Sequence, residues 1–571
     1  MKGSKFSEFM QEALNLQKNF MVAVFLLNGF LFAQSVVVDT ANPSCNRFFG
    51  FGAEWDSYSY GSYEVTDSDF ALIRKRVEYM GLPVARIMML LKYGYNNNGV
   101  FDYETADMYR LYRHLDVCQA LGSTVLLADW GVEQGWTVPP GSDIVSTDDT
   151  LYASVIGNYL DHLINVRGYT CIRYFILVNE PNYEVGSFSR WAAGVSNVKN
   201  ALVTRGLQDK VLLAGSDMSN NVAWHTQAVE LNILGAYDFH RYASGADILS
   251  GSLETYVGNL WTYAKTHDSA AAGKLLIVGE AGLSDGASTG QNSNIETFDY
   301  GVIMADYAVQ CASAGSGAVS AWMLDDNSFM DFTWGMWCNK TLGFRLKQWF
   351  YPWALLCRNF KTGSKIYKLN TGRSDLRGIA AHHTDSAQGT SSWTFCIVNR
   401  LFSTQTLTIQ VPGHGHASLS QYLYSPSSAI TDSNGFPVAT SILDENIGTG
   451  VSIACPGNSV LFLTGQEGTG ALDISAANSK ALFLFQNTPN PFNPATTIRY
   501  SIPIHSFVTL KVYDLRGAVI RTLFKGAVNK GIHTFSWDGT DRSGMASGSG
   551  IYIIRLESNG RALTTKALKV E

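Results

Sequence analysis

The chain has 571 residues, too many for one ordinary domain, so two to four are expected. Its net charge of -6 and the absence of any Lys/Arg cluster argue against a nucleic-acid binder. Hydrophobic residues make up 46% and charged residues 16%, an ordinary globular balance; the 13 Trp and 27 Tyr are explained chiefly by packing, though aromatic faces also suit sugar rings.

At the N-terminus Lys2, Lys5 and Lys18 precede an apolar run over residues 20–33, too short to span a bilayer comfortably. Residues 1–34 read as a signal peptide with Leu31-Phe32-Ala33-Gln34 at the cleavage site, although Met10 or Met21 would serve equally as the start. The mature protein is therefore expected to be exported, with no transmembrane segment. Residues 35–46 supply a strand that could join a sheet further along. Eight cysteines follow, at 45, 118, 171, 311, 338, 357, 396 and 455, with no CxxC spacing and no metal-ligand cluster. Export permits disulfides, but a chain of this size does not need them, and buried free thiols are expected.

Residues 47–358 alternate short apolar strands with amphipathic helices. The strands fall at 48–54, 84–90, 124–129, 172–179, 211–216, 236–241, 275–280 and 317–323, mostly apolar as parallel strands covered on both faces should be. Thr66-Asp67-Ser68-Asp69 caps a helix that stops at Gly81. Met108, Leu111, Leu115 and Cys118 share one face of the next. Eight such units predict an α/β fold, the closed (β/α)8 TIM barrel; an open doubly wound sheet is the alternative, but no glycine fingerprint follows the first strand. Over 359–466 the pattern changes to strands at 379–383, 392–399, 406–411, 420–423 and 459–464, an accessory β-sandwich. Residues 467–482 are rich in Gly, Ala and Ser and read as a linker.

Residues 483–571 form a small all-β, immunoglobulin-like domain, with strands at 496–501, 508–514, 533–537 and 550–556. The run Pro489-Asn490-Pro491-Phe492-Asn493-Pro494, then Leu510-Lys511-Val512-Tyr513-Asp514 and Ser549-Gly550-Ile551-Tyr552, resembles the sorting domains of type IX secretion cargo and the related FlgD-like immunoglobulin modules. Trp537-Asp538-Gly539-Thr540-Asp541 leans to the FlgD-like variant. The resemblance implies a bacterial secretion machinery as partner and a secreted or cell-surface location.

In an eightfold barrel catalytic groups stand at the C-terminal strand ends. Strand four ends Val178-Asn179-Glu180-Pro181 and strand seven ends Val278-Gly279-Glu280-Ala281, which sets two carboxylates across the mouth. Such a pair suits glycoside cleavage: one carboxyl must hold a proton for the leaving oxygen, while the other must be ionised to meet positive charge at the anomeric carbon. A gap of about 5–5.5 Å gives retention, and a wider one admits an inverting water.

Asn-Glu-Pro on strand four with Glu on strand seven resembles glycoside hydrolase clan A, whose members are retaining enzymes on (β/α)8 barrels. The match covers about residues 47–345. It implies Glu180 as acid/base, Glu280 as nucleophile and Asn179 as ligand of the substrate 2-hydroxyl. Arg86 matches the arginine beside the nucleophile, His240 and Tyr242 the strand-six pair, and Trp322 the sugar-stacking platform after strand eight. Arg86 and the Tyr242 hydroxyl are expected to hold Glu280 ionised by lowering its pKa. Asp129, Trp130, Trp55 and Glu54 also lie at strand ends, where subsite lining and core packing stand as alternatives. Asp325-Asp326-Asn327 reads as a solvated turn rather than a calcium site.

Residues 37–39 and Phe49-Gly50-Phe51-Gly52-Ala53 resemble the start of family 30 and 39 enzymes, whereas strand seven is closer to family 5, 39 or 51. The implied substrate is a β-linked plant or algal cell-wall polysaccharide or oligosaccharide. The reaction implies no metal and no organic cofactor. A non-catalytic carbohydrate-binding surface protein on the same scaffold is the competing reading, and a displayed structural adhesin a third.

Overall fold

The computed structural model describes residues 34–570 apart from 289, 328–331, 386–388, 468–481, 486, 488–489, 503 and 530. The signal-peptide run and most of the linker lie outside the described residues. Eight parallel strands close into a barrel: Gly50–Glu54, Val84–Met89, Thr124–Asp129, Ile172–Ile176, Leu212–Ser219, Ala236–Ala243, Leu276–Leu283 and Ala318–Ala321. Strand eight pairs with strand one through Ala318–Gly50 to Ala321–Ala53, which completes the ring.

Helix ends follow the local chemistry. The first long helix, Asp67–Met80, opens on a Thr66 capping box and stops at left-handed Gly81. Each cap of this kind contributes about 1 kcal/mol. In Ala106–Leu121, Met108, Leu111, Leu115 and Cys118 are all buried. Among the described residues no helix is long and apolar enough to cross a membrane.

The expected first strand is in fact two. Cys45–Phe48 pairs with the sandwich strand Ser364–Leu369, and only Gly50–Glu54 enters the barrel. The break sits at Gly50, whose φ is +136° and where a Cβ would meet Pro83 at 2.5 Å. Only glycine turns the chain from one sheet to the other at that point.

Gln34–Val37 runs parallel to Gln405–Gln410 in a three-stranded sheet. The larger sheet is antiparallel and includes Leu376–Asp385, Thr390–Asn399, His416–Ser425 and Ser459–Glu467. Val36, Leu376, Trp393, Leu407, Leu419 and Leu461 form the core between these sheets. Ile366, Ile379, Cys396 and Phe462 belong instead to the barrel's outer core, so one sandwich face is packed on the barrel. All eight cysteines are buried as free thiols.

The C-terminal region carries an immunoglobulin-like domain built from two sheets. Phe483–Leu484, Thr496–Ile502 and Gly531–Trp537 make one; Val519–Val528, Ser506–Tyr513, Gly550–Ser558 and Arg561–Lys569 make the other. Phe492, Ile498, Leu510, Trp537 and Ile554 close its core. The strands Val519–Val528 and Arg561–Lys569 escape the sequence pattern because both edge strands are largely exposed and lack a clean apolar face.

The barrel–sandwich contact holds a buried ion pair. Arg377 reaches Asp306 at 2.9 Å, with Arg400 at 3.4 Å from the same carboxylate. Burial pushes the Asp306 carboxyl up, against the pull of both arginines. Removing one partner of such a pair strands a charge, at a cost of about 3–5 kcal/mol. Arg377→Met should therefore lower the unfolding free energy measured by urea denaturation by up to that order, and pairing it with Asp306→Asn should recover most of the loss.

Candidate active site

Alternation along the strands selects the residues that face the barrel interior. Val84 and Met88 sit in the inner layer, so Arg86 between them points inward too. On strand six Ala236 is inward, which places Asp238 and His240 on the same side. Strand seven breaks the rule. Phe239 pairs with Val278 and His240 with Glu280, so one extra residue, Gly279, is inserted. The bulge turns Glu280 to the inner face. Gly279 is required there, because a Cβ would meet the Asp238 carboxyl at 2.5 Å.

Arg86 is the hub. It is fully buried, and its guanidinium binds four side chains. Nη1 donates to Glu54 and, at 2.9 Å, to Glu280 Oε1; Nη2 donates to Asn179 Oδ1 at 2.9 Å and to Asp217 Oδ2 at 3.0 Å. Glu280 Oε2 accepts from the Tyr242 hydroxyl at 2.7 Å. The nucleophile candidate is thus held by donors on both oxygens.

Glu180 ends the fourth strand in the left-handed region, with φ 40° and ψ 57°. A non-glycine residue there is uncommon and costs energy, a pattern that clusters at functional sites. The strand pairing itself ends at Ile176, earlier than expected, because the Asn179 N–H turns to the Asp129 carbonyl at 3.0 Å. The Glu180 side chain is 23% exposed and that of Glu280 6%, so the first can exchange protons with the cleft and the second is sheltered. His240 lies between them. Its Nδ1 is 3.0 Å from Glu180 Oε1 and 3.4 Å from Glu280 Oε2, and its Nε2 is 2.9 Å from Asp217 Oδ1. One oxygen of each glutamate and a His240 ring nitrogen all lie within 4.8 Å of one another. With carboxylates against both its nitrogens, His240 offers no lone pair to a metal ion.

The electrostatics correct one expectation. Burial pushes the Glu280 carboxyl up to about 7, despite the opposing pull of His240 and Arg86. Burial likewise holds Glu54 and Asp238 well above the usual carboxylate range, and Asp56 at about 6. Burial opposes charge on Asp217 as well, but there His240 and Arg86 win and hold it low. Burial also works against charge on His240, yet Asp217 and Glu280 keep it well above the imidazole range. Two cations, Arg86 and His240, face more carboxyls than they can ionise, and the surplus carboxyls stay neutral.

The remaining predicted residues divide. Trp322 is 5% exposed; its backbone N–H bonds the Ala281 carbonyl at 3.0 Å, beside Glu280, and Phe332 meets its ring edge-on. Half-buried Trp130 packs against Trp136, with ring centroids 5.6 Å apart, and its indole bonds Glu184. Trp55 is fully buried against Phe70 and His114, with its indole donating to Tyr60 at 2.9 Å, so it is core rather than lining. Asp129 is buried beneath the rim, accepts from the Tyr152 hydroxyl at 2.9 Å, and is pushed up to about 7 by burial. Glu54 anchors Arg86 instead of facing a subsite.

The Asp325-Asp326-Asn327 turn is buried, not solvated. Asp325 takes the Tyr60 hydroxyl, and Asp326 pairs with buried Lys347 at 2.9 Å. Lys347 is distant in sequence, so local polarity reads as solvation. Sequence reasoning missed Asp217, Asp238 and Asp56. For Asp217 and Asp238 the available signal was an aspartate inside a buried strand, where an unpaired charge would be too costly; Asp56 follows the end of strand one and carries no such signal.

Over the barrel and sandwich the chain is similar in fold to solved glycoside hydrolases. A family 30 subfamily 8 xylanase from Clostridium acetobutylicum aligns over 76% of this chain and 100% of its own, at 11% identity and TM-score 0.53. A family 30 xylanase C catalytic domain from Talaromyces cellulolyticus aligns over 76% and 99%, at 15% identity and TM-score 0.53. An α-L-arabinofuranosidase from Thermotoga maritima aligns over 76% and 99%, at 12% identity and TM-score 0.52. Residues 495–561 match the FlgD Ig-like domain. The basal-body rod modification protein FlgD of Escherichia coli (strain K12) is 41% identical over 54 residues, 9% of this chain and 23% of that protein's length.

The raised pKa of Glu280 has a signed consequence for stability. A carboxyl moved from 4.5 to about 7 on folding binds its proton more tightly in the folded state. The stability it contributes is present below pH 4.5 and lost as pH rises through 7. Glutamine cannot ionise. Glu280→Gln should therefore melt close to the native protein at pH 5 and above it at pH 8, by up to about 3 kcal/mol, measured by thermal denaturation across pH. A lower melting temperature at pH 8 would mean that the donors around Glu280 outweigh its burial.

Proposed function

We propose that the protein is an exported retaining glycoside hydrolase, with Glu180 as general acid/base and Glu280 as nucleophile. The observation that carries this reading is the facing pair itself, two rim glutamates with oxygens within 4.8 Å, bridged by His240. An approach this close supports direct attack by Glu280 over an inverting water, which needs a wider gap between the carboxyls. In the first step Glu180 gives its proton to the glycosidic oxygen as the bond to the anomeric carbon breaks, and a Glu280 oxygen bonds that carbon. In the second, water gives a proton to Glu180 and attacks the same carbon, releasing Glu280 as a carboxylate.

Asn179 spends its Oδ1 on Arg86, which leaves the amide N–H2 as the donor for the sugar 2-hydroxyl. Tyr242, packed edge-on against Trp334, and Trp322 give the sugar ring an aromatic wall. Trp130 is held beside the helix that follows Glu180, through Glu184. The substrate class we infer is a β-linked plant or algal cell-wall polysaccharide or its oligosaccharides. The xylanases and the arabinofuranosidase among the structural neighbours place xylans and arabinoxylans first in the panel. We infer from the sorting-domain resemblance of residues 483–571 that this module, which matches the FlgD Ig-like domain, engages bacterial secretion machinery.

Reducing-sugar release from a polysaccharide panel is the test. The native chain should hydrolyse at least one member, and Glu180→Gln should reduce the rate by about 10²–10⁴-fold. Glu280→Gln should lose at least as much. Proton NMR of the first-formed product should show the anomer of the substrate. Binding without cleavage would instead make the chain a carbohydrate-binding surface protein.

A further inference from the structure

Asp217 has no assigned part in the chemistry above, yet it touches Arg86, Glu180 and His240. It is 1% exposed and stands in strand five at φ 59°. Ser216 pairs with Asp238 and Met218 with Phe239, so Asp217 is the extra residue of a bulge, turned out of the ladder. Its Oδ2 receives Arg86 Nη2 at 3.0 Å and the Glu180 backbone N–H at 3.3 Å, and its Oδ1 faces His240 Nε2 at 2.9 Å.

We propose that Asp217 is a positioning residue that fixes His240 as a doubly protonated donor, with its Nδ1–H aimed between Glu180 and Glu280. An ionised carboxylate only accepts, so a ring nitrogen facing one at hydrogen-bond distance carries a proton. Asp217 is the ionised partner because Arg86 and a backbone N–H already donate to it. Its bond to Nε2 then leaves Nδ1–H to the two glutamates. The charged and titratable groups facing His240 are Asp217 from strand five, Glu180 after strand four, Glu280 from strand seven and Asp238 on its own strand, with Arg86 from strand two bound to the far side of Asp217 and Glu280.

The catalytic half of the proposal rests on the glycosidase reading. For attack Glu280 must carry the charge, and in the glycosyl-enzyme Glu280 is an ester and the charge passes to Glu180. Nδ1–H lies 3.4 Å from the first and 3.0 Å from the second, so one cation serves both states with no large movement. Asp217 therefore acts through His240 and does not touch the sugar.

Asp217→Asn tests this with two separable readouts. In the full chain labelled with ¹⁵N-histidine, the His240 resonances, identified by their loss in His240→Gln, should show both ring nitrogens protonated at pH 7. In Asp217→Asn one ring proton should be lost. With a hydrolysed substrate, Asp217→Asn should reduce kcat by at least about tenfold while KM changes little, by analogy with other carboxylate–histidine pairs. Its acid limb in kcat/KM should move to higher pH, since Glu280 loses a facing cation. A purely structural role would lower the melting temperature without moving that limb. A His240 already neutral in the native chain, or one unchanged by Asp217→Asn, overturns the proposal whether or not the chain hydrolyses anything. No hydrolysis with the NMR result as expected would overturn the glycosidase reading alone.

Discussion

A buried guanidinium organises the mouth of this barrel. Arg86 is cut off from water, and a charge in that position persists only where acceptors meet it, as they meet both of its Nη groups. The acceptors come from strand one (Glu54), the end of strand four (Asn179), strand five (Asp217) and strand seven (Glu280). A single side chain thus ties four separate strand ends to one geometry. The catalytic candidates inherit their positions from that constraint: Glu280 is a direct partner, and Glu180 follows Asn179 immediately in the chain.

The arrangement stores protons as well as positions. Desolvation makes charge scarce inside the mouth, so Arg86 and His240 decide which carboxyls ionise. Glu54 and Asp238 stay neutral, Asp217 is charged, and Glu280 is poised near neutrality. A carboxyl balanced in this way can gain or lose its negative charge at little cost. Simple pairing with Arg86 would have locked Glu280 in its ionised form, and burial prevents that.

The scaffold around the mouth serves this precision. The sandwich packs on the barrel's outer core through Ile366, Ile379 and Phe462, and is pinned by the Arg377–Asp306 pair. The turn after strand eight is anchored inside by Asp325 to Tyr60 and Asp326 to Lys347, which fixes the segment that carries Trp322. The immunoglobulin-like domain closes a core of its own around Trp537 and Leu510.

The sequence by itself determined the class of fold and the pair of glutamates. Eight apolar strands, the Thr66 and Gly81 helix signals, and carboxylates at two strand ends are local features, and each is legible from neighbours in the chain. The motif resemblance, rather than any pattern in the strands, singled out Arg86, His240, Tyr242 and Asn179. What only the tertiary structure decided is which way the side chains face and what they meet. The bulges at Gly279 and Asp217 reverse the alternation that a strand pattern assumes, and one inserted residue turns an acid from outside to inside. Trp55, Asp129 and the Asp325 turn look like lining or solvent-facing groups because their burying partners, Phe70, Tyr152 and Lys347, lie far along the chain. The charge state of Glu280 escaped for the same reason. It depends on desolvation summed over every strand of the barrel, a quantity that no single stretch of sequence contains.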